Sequence, residues 1–336
     1  MGGSPRILQD TTTCATPDTN WCLMSTTTLL TPFSTTRHSR SKIGRLVPIL
    51  SLIPEFLSYL DPGYTESTRR AVRRALKSMT GYLKDRPPTT ENLFQWLRHR
   101  LAVERVSTGT LGEDRKYANK FFKWCVANRR LSENPLDPIP KIAVKITRRA
   151  VITDEQFEAL KRAAMGNDLG FYGMIVVAWY TGMRLSDICG LRWDSIDWPT
   201  QVLTFVPRKT QRSGRTVELK LSGEIWDVLY ERHRLLSGGE GDNHVNGPFV
   251  FDEAKQLYDR QNGDIQRQFR QLCSRAGLPK TITFHCFRHT RTTRMLNSDN
   301  PVDPLTAADF LGLSSLDTLR GYNHASLARK EKAMNL

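Results

Sequence analysis

The sequence predicts a mainly α-helical protein of two domains with one small antiparallel β-sheet. Helix-period apolar patterns run through most of the chain after Leu46, and one strand–turn–strand pattern interrupts them between Val202 and Leu221. The proline-punctuated segment NPLDPIPK, Asn134 to Lys141, separates helical patterns on either side of it. At 336 residues the chain is long enough for two cores.

Residues 1–44 are rich in Ser, Thr and Pro without apolar periodicity, which predicts a disordered tail. Met24 opens the tract MSTTTLLTPF and is a candidate start. Residues 45–133 read as a helical domain. After Ser67, Val72, Leu76, Met79 and Leu83 form one apolar face, with Arg69, Arg70, Arg73, Arg74 and Lys77 on much of the remainder. Leu93, Leu97 and Leu101 repeat every four residues behind Thr90, the expected N-cap. A further helix is expected from about Gly112 to Asn128, with Tyr117, Phe121, Trp124 and Cys125 inward and Arg115, Lys116, Lys120 and Lys123 outward. A single charged helix face is as readily a solvated one. Two consecutive faces of one sign favour a surface that tracks phosphates, and Arg70, Arg73, Arg74, Lys77, Lys116, Lys120 and Lys123 are its candidate residues.

Residues 134–149 read as an extended linker, and 150–336 as the second domain. Helices are expected at Thr153–Met165 and Gly170–Tyr180, then strands at Val202–Val206 and Thr216–Leu221 around a turn at Ser213–Gly214. Beyond Ser222 the pattern is helical, with loops near Gly238–Gly247 and Ser298–Pro304.

Composition narrows the function. Lys and Arg number 49 against 34 Asp and Glu, a formal charge of +15 that points to a polyanionic partner, nucleic acid first. The same charge also fits a membrane-surface or ribosome-associated protein. The six cysteines (14, 22, 125, 189, 273 and 286) show no CxxC pair and no zinc-ligand spacing, so neither metal nor cofactor is expected. Their placement in apolar segments, and the lack of a secretory or membrane-spanning pattern, favour the cytoplasm.

Five residues carry the chemistry: Arg184 in TGMRLSDICGLRW, Lys209 in PRKTQRSG, His285 and Arg288 in HCFRHT, and Tyr322 in GYNH. Together they suit metal-free attack of a side-chain hydroxyl on a phosphodiester. The pentacoordinate phosphorane gathers negative charge on its equatorial oxygens, which guanidinium groups match bidentately. A tyrosine hydroxyl, whose ordinary pKa is about 10, needs a proton acceptor such as His285. A lysine on a hairpin tip can protonate the leaving oxygen, although a plain phosphate contact also suits Lys209. Asp187, three residues after Arg184, can orient a cation or histidine. His289 is expected to hold the local fold, and Cys286 to pack.

These segments resemble the tyrosine recombinases, the family of phage integrases and Xer-type recombinases. Thr181-Gly182-Met183-Arg184-Leu185-Ser186-Asp187 and Leu191-Arg192-Trp193 match its first arginine motif, Lys209-Thr210 its hairpin lysine, and His285-Cys286-Phe287-Arg288-His289-Thr290 its second arginine motif. Leu311-Gly312-Leu313-Ser314-Ser315 and Gly321-Tyr322-Asn323-His324 match its last motif. One motif alone is weak, whereas four in the right order and spacing are strong.

The resemblance covers residues 46–336 and implies a SAM-like helical core-binding domain and a catalytic domain closing as a clamp on double-stranded DNA. It further implies site-specific recombination through a 3′-phosphotyrosyl intermediate, without metal or ATP. Assembly on DNA as a tetramer is implied too, with a partner recombinase an open question, and the short basic tail after Tyr322 would pack on a neighbouring protomer. Leu313 departs from the pattern: the family places histidine, sometimes tryptophan, there as a donor to the scissile phosphate. Two other readings stay open on these residues, a type IB topoisomerase-like nicking and closing enzyme and a DNA-binding protein silenced at Leu313. A basic scaffold without nucleic acid is the least favoured.

Overall fold

The computed structural model describes residues 49–60, 63–143, 150–165, 170–237, 247–260, 262–320 and 334. The predicted tail 1–44, Cys14, Cys22, Met24, most of the 238–247 loop and all but one residue of the chain beyond Arg320 lie outside the described residues. The chain divides into two compact units, Met1–Lys145 and Ile146–Leu336.

In the first unit a 3-10 turn, Ile49–Leu52, leads into helix α1 (Ile53–Leu60), followed by α2 (Glu66–Leu83), α3 (Thr90–Ala102) and α4 (Thr108–Ala127). Thr65 starts α2 by accepting the Thr68 amide at 3.4 Å, and Val72, Leu76, Met79 and Leu83 are buried along one face. Phe56, Trp96, Phe121 and Phe122 are fully buried at the centre of this core. Where the sequence predicts capping by Thr90, the hydroxyl of Thr89 accepts the Asn92 amide at 3.3 Å and Thr90 is already helical. Helix α4 starts four residues before the expected Gly112, because Ser107 accepts the Thr110 amide at 3.1 Å.

Three expectations are corrected here. Leu101 is 48% exposed, and the inward place in the last turn of α3 belongs to Arg100, 8% exposed. Its guanidinium is bound by the buried Asp114 of α4 through Nε at 3.1 Å and through Nη2, and also by Glu104. Burial alone would lower the pKa of Arg100; the two carboxylates outweigh it and leave it raised. The segment expected to be an extended linker from Asn134 instead packs into this core, with Leu136 and Ile139 buried. Arg115, expected to face outward, braces that segment by donating to the carbonyls of Leu136 and Ile139.

The second unit opens with α5 (Asp154–Ala164), α6 (Phe171–Thr181) and the short α7 (Leu185–Cys189). A capping box starts α5, Thr153 and Gln156 satisfying each other's backbone amides. Helix α6 is apolar on nearly all sides and correspondingly buried. Strands β1 (Ile196–Asp197), β2 (Val202–Phe205) and β3 (Val217–Lys220) form an antiparallel sheet in sequence order, with Leu203 opposite both Ile196 and Leu219. The pattern before Val202 gave no signal for β1, whose two residues pair only through β2.

Helices α8 (Glu224–Leu236), α9 (Asp252–Asp259), α10 (Asp264–Arg275), α11 (His285–Asn297), α12 (Pro304–Phe310) and α13 (Asp317–Arg320) complete the unit. Its core is built on α6, with Phe157, Phe251, Phe269 and Phe287 among the side chains around it. Cys125, Cys189, Cys273 and Cys286 are all buried and unbonded to each other. Burial pushes the thiols of Cys125 and Cys273 up to about 11 and that of Cys189 to about 12, so these three stay protonated at neutral pH.

Candidate active site

The first arginine motif is shaped by where α6 stops. The hydroxyl of Thr181 donates to the Val177 carbonyl at 2.5 Å and accepts the Met183 amide at 3.1 Å, which ties off the helix. Gly182 then takes the left-handed conformation at φ +62°, where a Cβ would sit 3.1 Å from Leu311 Cδ2 and 3.2 Å from Arg291 Cβ. The turn delivers Arg184 to the N-cap of α7 with its Nη1 buried and without a hydrogen-bond partner among the described residues. Asp187 Oδ2 lies 3.8 Å from that nitrogen.

Asp187 also reaches the hairpin. Its Oδ1 accepts the Arg208 amide at 3.0 Å and a Ser186 hydroxyl bond at 3.3 Å, so one buried carboxylate ties α7 to the residue preceding Lys209. Lys209 itself is exposed on the 3-10 turn Arg208–Ser213 that joins β2 to β3.

Arg288, on α11, is 6% exposed. Its Nη1 donates to the Gly182 carbonyl at 3.1 Å and its Nη2 to the Leu311 carbonyl at 2.7 Å. It therefore stitches together segments more than a hundred residues apart, the α6–α7 turn and the end of α12. His285, the first residue of α11 and one turn before Arg288, is exposed. His289 is half-buried. Thr290 of the same motif has a structural task, accepting the Ile152 amide at 2.8 Å.

The last motif closes on the hairpin. Gly312, at φ +57°, has space for no side chain, since a Cβ would lie 2.6 Å from Pro207 Cγ and 3.0 Å from Val217 Cγ2. Leu313 is 5% exposed and packs among Met295, Leu296, Ala307, Ala308, Leu311 and Leu319, while its carbonyl accepts from Arg215. Thus Arg288 bonds to the turn that carries Arg184, Asp187 ties α7 to the backbone beside Lys209, and Arg215 ties Leu313 to the same hairpin. Tyr322 and His324 lie outside the described residues.

Arg70, Arg73, Arg74, Lys77, Lys116 and Lys123 are exposed on α2 and α4, and Lys120 is half-buried, bonded to the Tyr64 hydroxyl with its ammonium 4.2 Å from that ring. Arg73 and Lys116 make ion pairs at 3.1 Å with Glu66 and Glu113. Arg74 and Lys77 also line a cavity of about 800 Å³ with Lys84, Arg86 and His99, three residues the sequence patterns did not single out. Their signal was faint because they lie on a loop and on a second helix.

The phage integrase family profile matches residues 150–329, more than half of the chain and all of the described site. The chain belongs to the phage integrase family. Among curated members it is similar to the tyrosine recombinase XerC of Chlamydia muridarum (strain MoPn / Nigg), 28% identical over 249 residues, covering 73% of this chain and 75% of that one. It is also 25% identical over 299 residues to XerC of Mycobacterium sp. (strain JLS), covering 84% of this chain and 95% of the relative.

Solved structures of integrases share the fold. The Tn1549 transposon integrase in complex with transposon right end DNA superposes with a TM-score of 0.65 at 19% identity, covering 86% of this chain and 98% of that one. A lambda integrase tetramer bound to a Holliday junction gives a TM-score of 0.66 at 17% identity, with 84% and 80% coverage. No described helix of this integrase-family chain is long and apolar enough to cross a membrane. No group of three or more His, Cys, Asp or Glu residues among the described ones is placed to hold a metal ion.

Proposed function

We propose that this protein is a site-specific DNA recombinase that cuts and rejoins strands through a 3′-phosphotyrosyl intermediate on Tyr322. The observation that carries the reading is the convergence of Arg184, Arg288 and the Asp187-tethered hairpin bearing Lys209. Arg184, whose buried Nη1 has only the 3.8 Å ion pair with Asp187 and no hydrogen-bond partner among the described residues, is ready to bind an oxygen of the scissile phosphate. Arg288 is held by two carbonyls, so its guanidinium is fixed in place before substrate arrives, which is where electrostatic stabilisation of a phosphorane gains most.

His285 then accepts the Tyr322 proton, and Lys209 protonates the departing 5′-oxygen. The phosphotyrosyl bond conserves the energy of the phosphodiester, and the 5′-hydroxyl of a partner strand reverses the attack. The exposed basic faces of α2 and α4 grip the duplex, with residues 45–133 and 150–336 as the two domains of the clamp and the chain assembling on DNA as a tetramer.

One observation favours a second reading, a slow or silent DNA-binding protein of the same fold. Leu313 occupies the donor position, cannot donate, and faces an apolar cluster. Losing one such donor costs about 10²–10³ in rate.

Covalent trapping separates the two. Wild type and Tyr322→Phe are expressed beside the gene's native flanking DNA, lysed in strong detergent, and the protein-linked DNA ends are sequenced. A discrete locus joined through its 3′-phosphate, absent with Tyr322→Phe, is the expected result. Linked DNA from neither protein, despite normal expression and DNA binding, would select the silent reading. Plasmid relaxation by a monomer without recombinant products would instead select a type IB topoisomerase-like enzyme.

A further inference from the structure

Helix α11 carries arginines at three successive turns, and they are held in three different ways. Arg288 is bound by two carbonyls. Arg294 makes an ion pair with Asp154 at 3.0 Å and stacks 4.3 Å from the Trp179 ring. Arg291, between them, has no such arrangement. Its guanidinium carbon lies 5.3 Å from the Phe310 ring, and its Nε is buried with no hydrogen-bond partner among the described residues.

Burial, and then the positive charge of Arg294, lower the pKa of Arg291 from its usual value. The one group that opposes them is Tyr180, which is no carboxylate. A half-buried cation with no carboxylate paired to it among the described residues is costly to keep charged, and a bound anion would offset that cost. Position identifies that anion. The Cβ and Cγ of Arg291 lie against Gly182, whose carbonyl holds Arg288, and its guanidinium lies on Phe310, adjacent to Leu311, whose carbonyl holds Arg288 from the other side. Both backbone segments that position Arg288 therefore also position Arg291, one helical turn further along α11.

We infer that Arg291 is a third phosphate-binding arginine of this site, taking a backbone phosphate of the DNA adjacent to the scissile one. The inference rests on the reading under Proposed function and adds to it. In this chain the side-chain donor at position 313 is lost to leucine, while an additional guanidinium enters from α11. Arg291 acts by anchoring the strand, so its contribution supports the placement of the scissile phosphate against Arg184 and Arg288.

The test uses the full-length protein and a nicked duplex carrying the site found by covalent trapping, so that cleavage accumulates as protein-linked DNA. Wild type, Arg291→Met and Arg291→Lys are compared on the natural duplex. They are compared again on duplexes in which single phosphates flanking the scissile position are replaced, one at a time, by uncharged methylphosphonate. Loss of a charge-assisted contact predicts that Arg291→Met forms the adduct about 10- to 100-fold more slowly, with Arg291→Lys intermediate. One methylphosphonate position should cost wild type a similar factor and cost Arg291→Met nothing more, a non-additivity that a purely structural arginine would not produce.

Thermal unfolding of Arg291→Met should be no lower than that of wild type, because a desolvated charge has been removed. Equal adduct rates for wild type and Arg291→Met would overturn the inference. So would penalties that add at every methylphosphonate position, or a lowered melting temperature that tracks the lost rate. Absence of adduct from wild type would be a different failure, that of the recombinase reading itself, and the role of Arg291 would fall with it.

Discussion

Arginine does opposite work in the two units of this chain. On α2 of the first unit, Arg70, Arg73 and Arg74 stand exposed on a helix face and owe their places to the apolar residues behind them. In the second unit, Arg184 and Arg288 are largely withdrawn from solvent, the former 3.8 Å from the Asp187 carboxylate without a hydrogen bond to it and the latter held by two carbonyls. A solvated cation attracts DNA over a distance and tolerates many registers. A buried, pre-aimed guanidinium recognises one phosphate in one geometry, and that is the requirement of chemistry. Arg100 and Arg115 belong to the first unit and are structural, the former neutralised by Asp114 and the latter bracing Leu136 and Ile139.

The largest effect is expected of Arg288→Ala. It removes a proposed transition-state contact and leaves the carbonyls of Gly182 and Leu311 without their donor. Cleavage should fall by about 10²–10³, as for loss of a strong electrostatic donor. Stability should fall by about 1–3 kcal/mol for the unsatisfied groups. Adduct formation on the nicked duplex, read beside thermal unfolding, measures both. A variant with wild-type cleavage would show that the buried arginine is only a brace.

Next in size is Arg100→Met, which separates burial from catalysis. Asp114, with its side chain 1% exposed, would be left as an uncompensated buried carboxylate, a change that costs about 3–5 kcal/mol. Chemical denaturation should therefore show a large stability loss, and the double variant Arg100→Met/Asp114→Leu should recover most of it. Failure of the double variant to recover would mean that packing, and not the unpaired charge, dominates at this place.

Leu313→His comes third. It restores a donor where the chain has none, at the expense of the apolar cluster around Met295 and Leu319. Adduct formation should rise by about 10-fold, short of the full 10²–10³ that such a donor is worth elsewhere. Stability should drop by about 1–3 kcal/mol, because a polar ring enters an apolar site. A slower variant would show that the backbone here has settled into a geometry that excludes the donor.

The legibility of these features in the sequence follows the same division. Apolar periodicity exposed the first-unit helices, because Val72, Leu76, Met79 and Leu83 obey a local rule that needs no knowledge of the fold. The motif arginines were marked by the resemblance, and the glycines of the same motifs, Gly182 and Gly312, take backbone conformations that few residue types permit. What escaped notice depends on partners distant in the chain. Arg100 looks like any helix arginine until Asp114, fourteen residues away, is placed beside it, and the four-residue spacing that groups Leu101 with Leu93 and Leu97 cannot detect that pair. Arg115 needs Leu136 and Ile139, and Arg291 needs Gly182 and Phe310. Periodicity says which face a side chain is on, and long-range packing decides what it meets.

The smallest effects belong to the exposed cations. Arg73→Gln removes a guanidinium that is 47% exposed and pairs with Glu66 across the helix surface. Stability should shift by no more than about 0.5 kcal/mol, as for other surface pairs. DNA affinity should fall only a few-fold at moderate salt, and the slope of log K against log salt should fall by about 1, the signature of one lost phosphate contact. The loss should be the same on cognate and unrelated duplexes, because a phosphate contact carries no base information. Lys123→Gln on α4 should behave in the same way, and the pair should add, since the two residues share no partner among the described contacts. Titrations at several salt concentrations give all of these quantities at once. A loss confined to the cognate duplex would place Arg73 against a base edge and would make the first unit a reader of sequence as well as a grip on the backbone.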